Sequence, residues 1–144
     1  MPVTVQDVLD RVNAFDLDFE VEEAFNDTAR DFTDLQREQL FSGINAEGDP
    51  IEPEYSPRTV AIKKKKGQPT DRVTLRDTGD FYKGVFMDPR EDIYVVDSAD
   101  EKSGELQKKY GEDIFGLDEQ NQDKYVEENL DPVFMNRVEK SLEL

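Results

Sequence analysis

The sequence predicts an α+β domain with amphipathic helices at the N-terminus, a small antiparallel sheet in the middle and helices at the C-terminus. Three observations predict it. Apolar residues recur at spacings of mostly three and four over residues 21–40 and along one side of 125–142. Short apolar runs at 85–87 and 93–96 flank a polar link. Glycine and proline break the pattern at 43–57, at 67 and at 111. Helices, then a sheet, then helices is an α+β order. With 144 residues the chain has the length of one domain. It divides into a helical part (4–42), a loop (43–56), a basic central lobe with the sheet (57–97) and a C-terminal helical part (98–144). Hydrophobic residues make up 35% and aromatics 10%. That is sparse for a globular protein yet richer than a disordered one, so we expect folding with several apolar faces completed by neighbouring subunits.

The elements follow in order. Thr4 is placed to cap a first helix with Asp7 in its first turn, and Val5, Val8, Leu9 and Val12 fall along one side. After a break at Phe15-Asp16-Leu17-Asp18, residues Val21, Phe25, Thr28, Phe32, Leu35 and Leu40 mark a long second helix that Gly43 ends. Ser56-Pro57 offers an N-cap and first-turn proline for a short helix from Arg58 to Lys66, closed by Gly67, with Lys63 to Lys66 solvated. Val73-Thr74-Leu75 alternates like the start of a strand, and Asp77-Thr78-Gly79-Asp80 is a turn or helix start. Val85-Phe86-Met87 and Ile93-Tyr94-Val95-Val96 read as a strand pair across Asp88-Pro89-Arg90-Glu91. Ser98 to Tyr110 is helix-like and ends at Gly111; Ile114-Phe115-Gly116-Leu117 is an apolar anchor; Asp118 opens a final helix that Pro132 kinks or splits near Leu130.

Charge is the strongest compositional signal. Eighteen basic and thirty-five acidic residues give a net −17. Residues 1–56 hold three basic and fifteen acidic groups, 57–90 nine and four, and 91–144 six and sixteen. The chain therefore runs −12, +5, −10. Such acidity repels duplex DNA from any surface lacking a local basic patch. A basic lobe between acidic ends is also self-complementary, and lobe-to-acid contact between copies is head-to-tail, the kind that closes into rings. The run Lys63 to Lys66 is of the type that meets nucleic acid or lipid headgroups, although a solvated surface is the ordinary reading.

Several chemistries are missing. With no histidine there is no imidazole base or His-metal site, and with no cysteine there is no thiol nucleophile, disulfide or thiolate site. The carboxylate pairs Asp77 with Asp80 and Glu112 with Asp113 are what chance places in so acidic a chain. Asn45, Glu47 and Asp49 around Gly48 lack the spacing of a calcium loop. No glycine-rich phosphate cradle is present. We therefore expect a non-enzymatic protein without metal or cofactor. Met1-Pro2-Val3-Thr4 has none of the basic and apolar regions of a signal peptide, and no apolar run approaches the ~20 residues of a membrane span. The expectation is assembly in the cytoplasm with no membrane partner.

Taken in order, Gln39-Leu40-Phe41-Ser42-Gly43-Ile44 with Gly48, Leu75-Arg76-Asp77-Thr78-Gly79-Asp80-Phe81-Tyr82, Tyr110-Gly111 and Ile114-Phe115-Gly116-Leu117 resemble small virion proteins of tailed phages. The similarity is to the tail-completion and head-tail joining group and spans roughly 21–142. Phe81 stands where that group often has Leu, and the 114–117 anchor lacks a common proline. The resemblance implies a ring-forming homo-oligomer at the neck or tail end, with six- or twelve-fold symmetry. Its partners would be portal, adaptor or tail-tube proteins, its place the virion, and DNA would at most pass through its lumen. The candidate subunit contacts are Lys63, Lys64, Lys65, Lys66, Arg76, Thr78, Gly79, Phe81 and Tyr82, with Phe81 and Tyr82 also suited to the core. The alternative is an acidic DNA mimic that inhibits a host DNA-processing enzyme, which would present carboxylates in rows spaced like phosphates. Nine cations in residues 57–90 argue against it.

Overall fold

The computed structural model describes residues 2–90 and 93–143; Met1, Glu91, Asp92 and Leu144 lie outside the description. The order is α1 (Val5–Ala14), α2 (Leu17–Asp27), α3 (Ala29–Phe41), α4 (Pro57–Lys65), α5 (Asp80–Lys83), β1 (Val85–Arg90), β2 (Ile93–Ser98), α6 (Ser103–Tyr110), a 3₁₀ turn (Glu112–Ile114), α7 (Glu119–Tyr125), a π-helical turn (Val126–Leu130) and α8 (Asp131–Leu142). This is the α+β architecture expected from the sequence.

Local chemistry starts the helices where it was read. Thr4 and Asp7 form a reciprocal capping box, Asp7 N–H donating to Thr4 Oγ1 (3.1 Å) and Thr4 N–H to Asp7 Oδ2 (2.8 Å). Ser56 caps α4 with Pro57 in its first turn, and Asp118 caps α7. Asp16 also caps a helix, so Leu17 and Asp18, expected in a break, lie inside α2. The long second helix is two. Thr28 interrupts it, donating its hydroxyl to Ala24 O (2.8 Å) and lying 2.7 Å from Tyr125 Oη, which draws the chain out of line. The apolar spacing survives the one-residue break because α3 resumes the same inward face.

Pro132 acts two residues into α8, and the backbone before it relaxes into the π-helical turn at Val126–Leu130. Proline cannot supply the N–H that Glu128 would accept in an α-helix, so the ladder widens there. The single sheet among the described residues pairs β1 with β2 antiparallel, with Val85 opposite Ser98, Met87 opposite Val96 and Arg90 opposite Ile93. Asp88, Pro89 and Arg90, expected in the link, therefore belong to β1. Proline is tolerated because a two-stranded sheet has only edges. Ser98 likewise belongs to β2, so α6 starts at Ser103 rather than Ser98.

Two apolar clusters share α3. Leu40 joins Ile51, Val73, Leu75, Phe81, Tyr82 and Ile114, while Phe32 and Leu35 join Met87, Leu117 and Tyr125. Phe32 meets Tyr125 edge-on at 5.2 Å and Tyr94 at 5.4 Å. On the core-facing side of α3 sit two glutamines. Gln36 is fully buried, accepts from Gly116 N–H (2.7 Å) and donates to Ile114 O (3.3 Å). Gln39 donates to Gly116 O (2.8 Å) and accepts from Asp118 N–H (2.8 Å) and Asn121 Nδ2 (3.0 Å). They bind the apolar anchor to α3 and set where α7 begins. At the other end Arg137 bridges Glu20 (2.8 Å) and Asp27 (3.1 Å), and Ser141 donates to Glu20 (3.0 Å), holding α8 on α2.

Gln36→Leu should lower stability on the order of 1–3 kcal/mol, because it leaves the Gly116 amide and Ile114 carbonyl without their partner. Thermal denaturation followed by circular dichroism reads this as a fall of about 2–4 °C per kcal/mol.

Candidate functional site

The candidate site is the segment Leu75 to Tyr82 with the elements that hold it. Val73-Thr74-Leu75 does not form the expected strand. Leu75 takes a left-handed backbone, φ +58°, which no strand residue adopts and which costs a leucine about 1–2 kcal/mol. The segment is held by side chains instead of a ladder. Tyr55 Oη accepts both Thr74 N–H (3.0 Å) and Leu75 N–H (3.1 Å), and Tyr82 Oη donates to Thr74 O (2.6 Å). Lys63 Nζ donates to Arg76 O (2.9 Å), and Gln68 Nε2 donates to Asp77 O (2.9 Å). The core burial of Leu75 offsets the strain, since its side chain is only 7% exposed.

The structure corrects the reading of the lysine run. Lys63 is not solvated: it is 7% exposed, bonded to Arg76 O, and its ammonium lies 4.8 Å from the Tyr55 ring centroid. Lys66 pairs with Asp77 at 2.8 Å on the surface, and this hydrogen bond holds the Asp77 carboxyl below its ordinary range. Lys64 and Lys65 stay exposed. The run is therefore not one patch but a structural cation, an ion-paired one and two free to meet solvent.

Arg76 and Thr78 are exposed, Arg76 lying over the Tyr82 ring at 6.0 Å. Thr78 Oγ1 accepts Asp80 N–H (3.3 Å) and so opens α5. Gly79 precedes that helix with φ +92°, a conformation that glycine adopts without steric cost. Gly84 follows it for a different reason: a Cβ there would come within 2.6 Å of Ser98 Oγ and 2.9 Å of the Asp100 amide. Phe81 and Tyr82 are 5% and 8% exposed and complete the first apolar cluster. Their side chains serve this chain's core, whereas Arg76, Thr78, Lys64 and Lys65 are accessible to a neighbour.

Sequence reasoning missed Tyr55, Arg37 and Arg72. Arg37 Nε donates to Tyr82 O (2.7 Å) and its Nη2 to Val85 O (3.3 Å), capping the carbonyl end of α5. Arg72 Nε donates to Phe41 O (2.6 Å). Between α3 and the 76–83 segment runs an open groove of about 1050 Å³, lined among others by Arg30, Arg37, Arg76, Lys83, Phe41 and Tyr82. Asp34 and Glu38 also line it, and Asp34 is engaged by Arg37 (3.1 Å). Beside Lys63 a cavity of about 150 Å³ includes Asp100, whose buried Oδ2 has no protein partner among the described residues. Ligand pockets usually exceed about 300 Å³, so this space suits water better than a nucleotide.

Among the described residues no group of three or more acidic, histidine or cysteine side chains is placed to hold a metal ion, and no helix is long and apolar enough to cross a membrane. Comparison of the chain with protein-family models, curated proteins and solved structures returns no match in any of the three.

Tyr55→Phe should destabilise on the order of 1–3 kcal/mol by stranding two amides, measured as a lower denaturation midpoint in urea. Burial pushes the Tyr82 phenol well above its ordinary range, and burial also raises Tyr125. A raised folded-state pKa means stability is full below the unfolded value of about 10 and is lost as pH rises above it. Stability measured from pH 7 to 11 should be level in this respect to about pH 9.5 and fall beyond, and Tyr82→Phe should reduce the fall.

Proposed function

We propose that the chain is a structural, non-catalytic subunit of a tailed-phage particle, at the neck or tail end, that acts by assembling with copies of itself and with portal, adaptor or tail-tube proteins. The observation that carries the assembly reading is α1. Val5, Val8, Leu9 and Val12 are 48–78% exposed along one face of a capped helix, and none of its residues is buried. Leu17 and Phe19 on α2 are also exposed, 54% and 52%. An apolar surface of this kind on a folded chain marks an interaction site. The phage assignment is supported by the resemblance of the segments at 39–48, 75–82 and 110–117. In this chain the first and last are joined by Gln39, and the middle one lies against α3 through Arg37.

The acidity fits the same role. DNA threading a neck or tail lumen must not adhere to its wall, and carboxylates there repel it. With Lys63 engaged internally and Lys66 paired, only Lys64 and Lys65 of the run are left to attract DNA, against a net charge of −17. Purified protein should therefore leave duplex DNA unshifted in a gel at about 0.15 M salt.

Native mass measurement tests the assembly reading. The expected result is a six- or twelve-fold oligomer, alone or on addition of portal or tail-tube protein. A strict monomer that binds none of these overturns it.

A further inference from the structure

We infer that the groove between α3 and the 76–83 segment receives helix α1 of a second copy of this chain, in a head-to-tail contact. This rests on the assembly reading above and names its interface. The groove is a basic site on an acidic chain. Its four cations exceed its two carboxylates, and Asp34 is already committed to Arg37. Arg30, Arg76 and Lys83 make no ion pair among the described residues, so they are available to charges from outside. Its lining includes the aromatic side chains of Phe41, 37% exposed, and Tyr82, 8% exposed.

The complementary object is an amphipathic, acidic helix, and the chain carries one. Residues 1–27 hold eight acidic groups and one basic group. On α1 and the start of α2 the apolar stripe is accompanied by Asp7, Asp10, Asp16 and Asp18, all exposed. The stripe suits the apolar surface that Phe41 offers, and the net negative charge of residues 1–27 suits Arg30, Arg76 and Lys83 in the groove lining. The one basic residue of this stretch, Arg11, is turned to its own chain: it pairs with Glu143 (2.9 Å) and donates to Leu142 O (3.4 Å). That tie holds α1 beside α8, so the helix meets the groove of another copy rather than its own. Donor and acceptor are different surfaces of one molecule, which makes the contact heterologous and able to close into a ring.

Two variants separate the surfaces. Arg76→Glu with Lys83→Glu inverts the groove, and Val5→Asn with Leu9→Asn removes the stripe; all four positions are exposed, so unchanged melting temperatures should report intact folds. In native mass spectrometry and sedimentation, each variant alone should associate about 100-fold or more weakly than the unaltered chain. Mixed in equal amounts they should form a one-to-one dimer and no ring, because one brings a working α1 and the other a working groove. Wild-type assembly should also weaken as salt is raised. If both variants assemble like the unaltered chain, or the mixture stays monomeric, the inferred contact is overturned while the assembly reading stands. In that event the groove belongs to a different partner. If the unaltered chain is itself a monomer that ignores portal and tail-tube proteins, both readings fall.

Discussion

Buried backbone amides and carbonyls must be paired, and among the described residues outside the helices one short hairpin is the single strand ladder that pairs them. The irregular chain over 43–56, 66–79 and 111–118 is paired partly by its own backbone, as in Asn45 N–H to Asp49 O, Ile51 N–H to Gly43 O and Ala46 N–H to Asp113 O, and elsewhere takes its hydrogen bonds from side chains. Tyr55, Lys63, Gln68 and Tyr82 hold residues 74–77, Gln36 and Gln39 hold 114–118, and Arg37 holds the end of α5. Removing one such side chain strands a buried group and costs more than the bond itself contributes. This constraint explains why a lysine and two glutamines are buried beside leucines and phenylalanines in so charged a chain.

The same constraint shapes the exterior. Side chains committed to the interior leave Arg30, Arg76 and Lys83 lining the groove, while exposed acids accompany a helix whose apolar stripe is uncovered although its Arg11 is tied to α8. Rigid support on one side and an unsatisfied surface on the other is the division expected of a subunit made to be completed by others. In the proposed assembly, charge segregation would direct which surfaces meet and apolar area would supply most of the adhesion.

Much of the helical layout was legible in the sequence. Thr4 and Ser56 cap the helices they were read to cap, a helix opens at Asp118 as read, Gly43, Gly67 and Gly111 follow helix ends, and Pro132 disturbs the helix near Leu130. The hairpin was legible from Val85 and Met87, although it runs longer than the apolar residues alone indicated. The site was half legible. Residues 75–82 do form a capped turn leading into a helix, and Phe81 and Tyr82 do complete the core, but Val73-Thr74-Leu75 looked like a strand because alternation records which residues are apolar and not which partner holds their amides.

What the sequence by itself determined is therefore what acts within about four residues or sums over the chain: caps, helical spacing, terminators, the absent histidine and cysteine, and the −12, +5, −10 division of charge. Only the tertiary structure decided that Lys63 is a buried strut, that Thr28 splits a helix to meet Tyr125, that two glutamines join segments nearly eighty residues apart, and that the stripe on α1 is left uncovered. The physical reason is reach. A cap or a periodic face is satisfied by its sequence neighbours, whereas the partner of a buried donor, or the cover for an apolar face, is chosen only when distant parts of the chain come together.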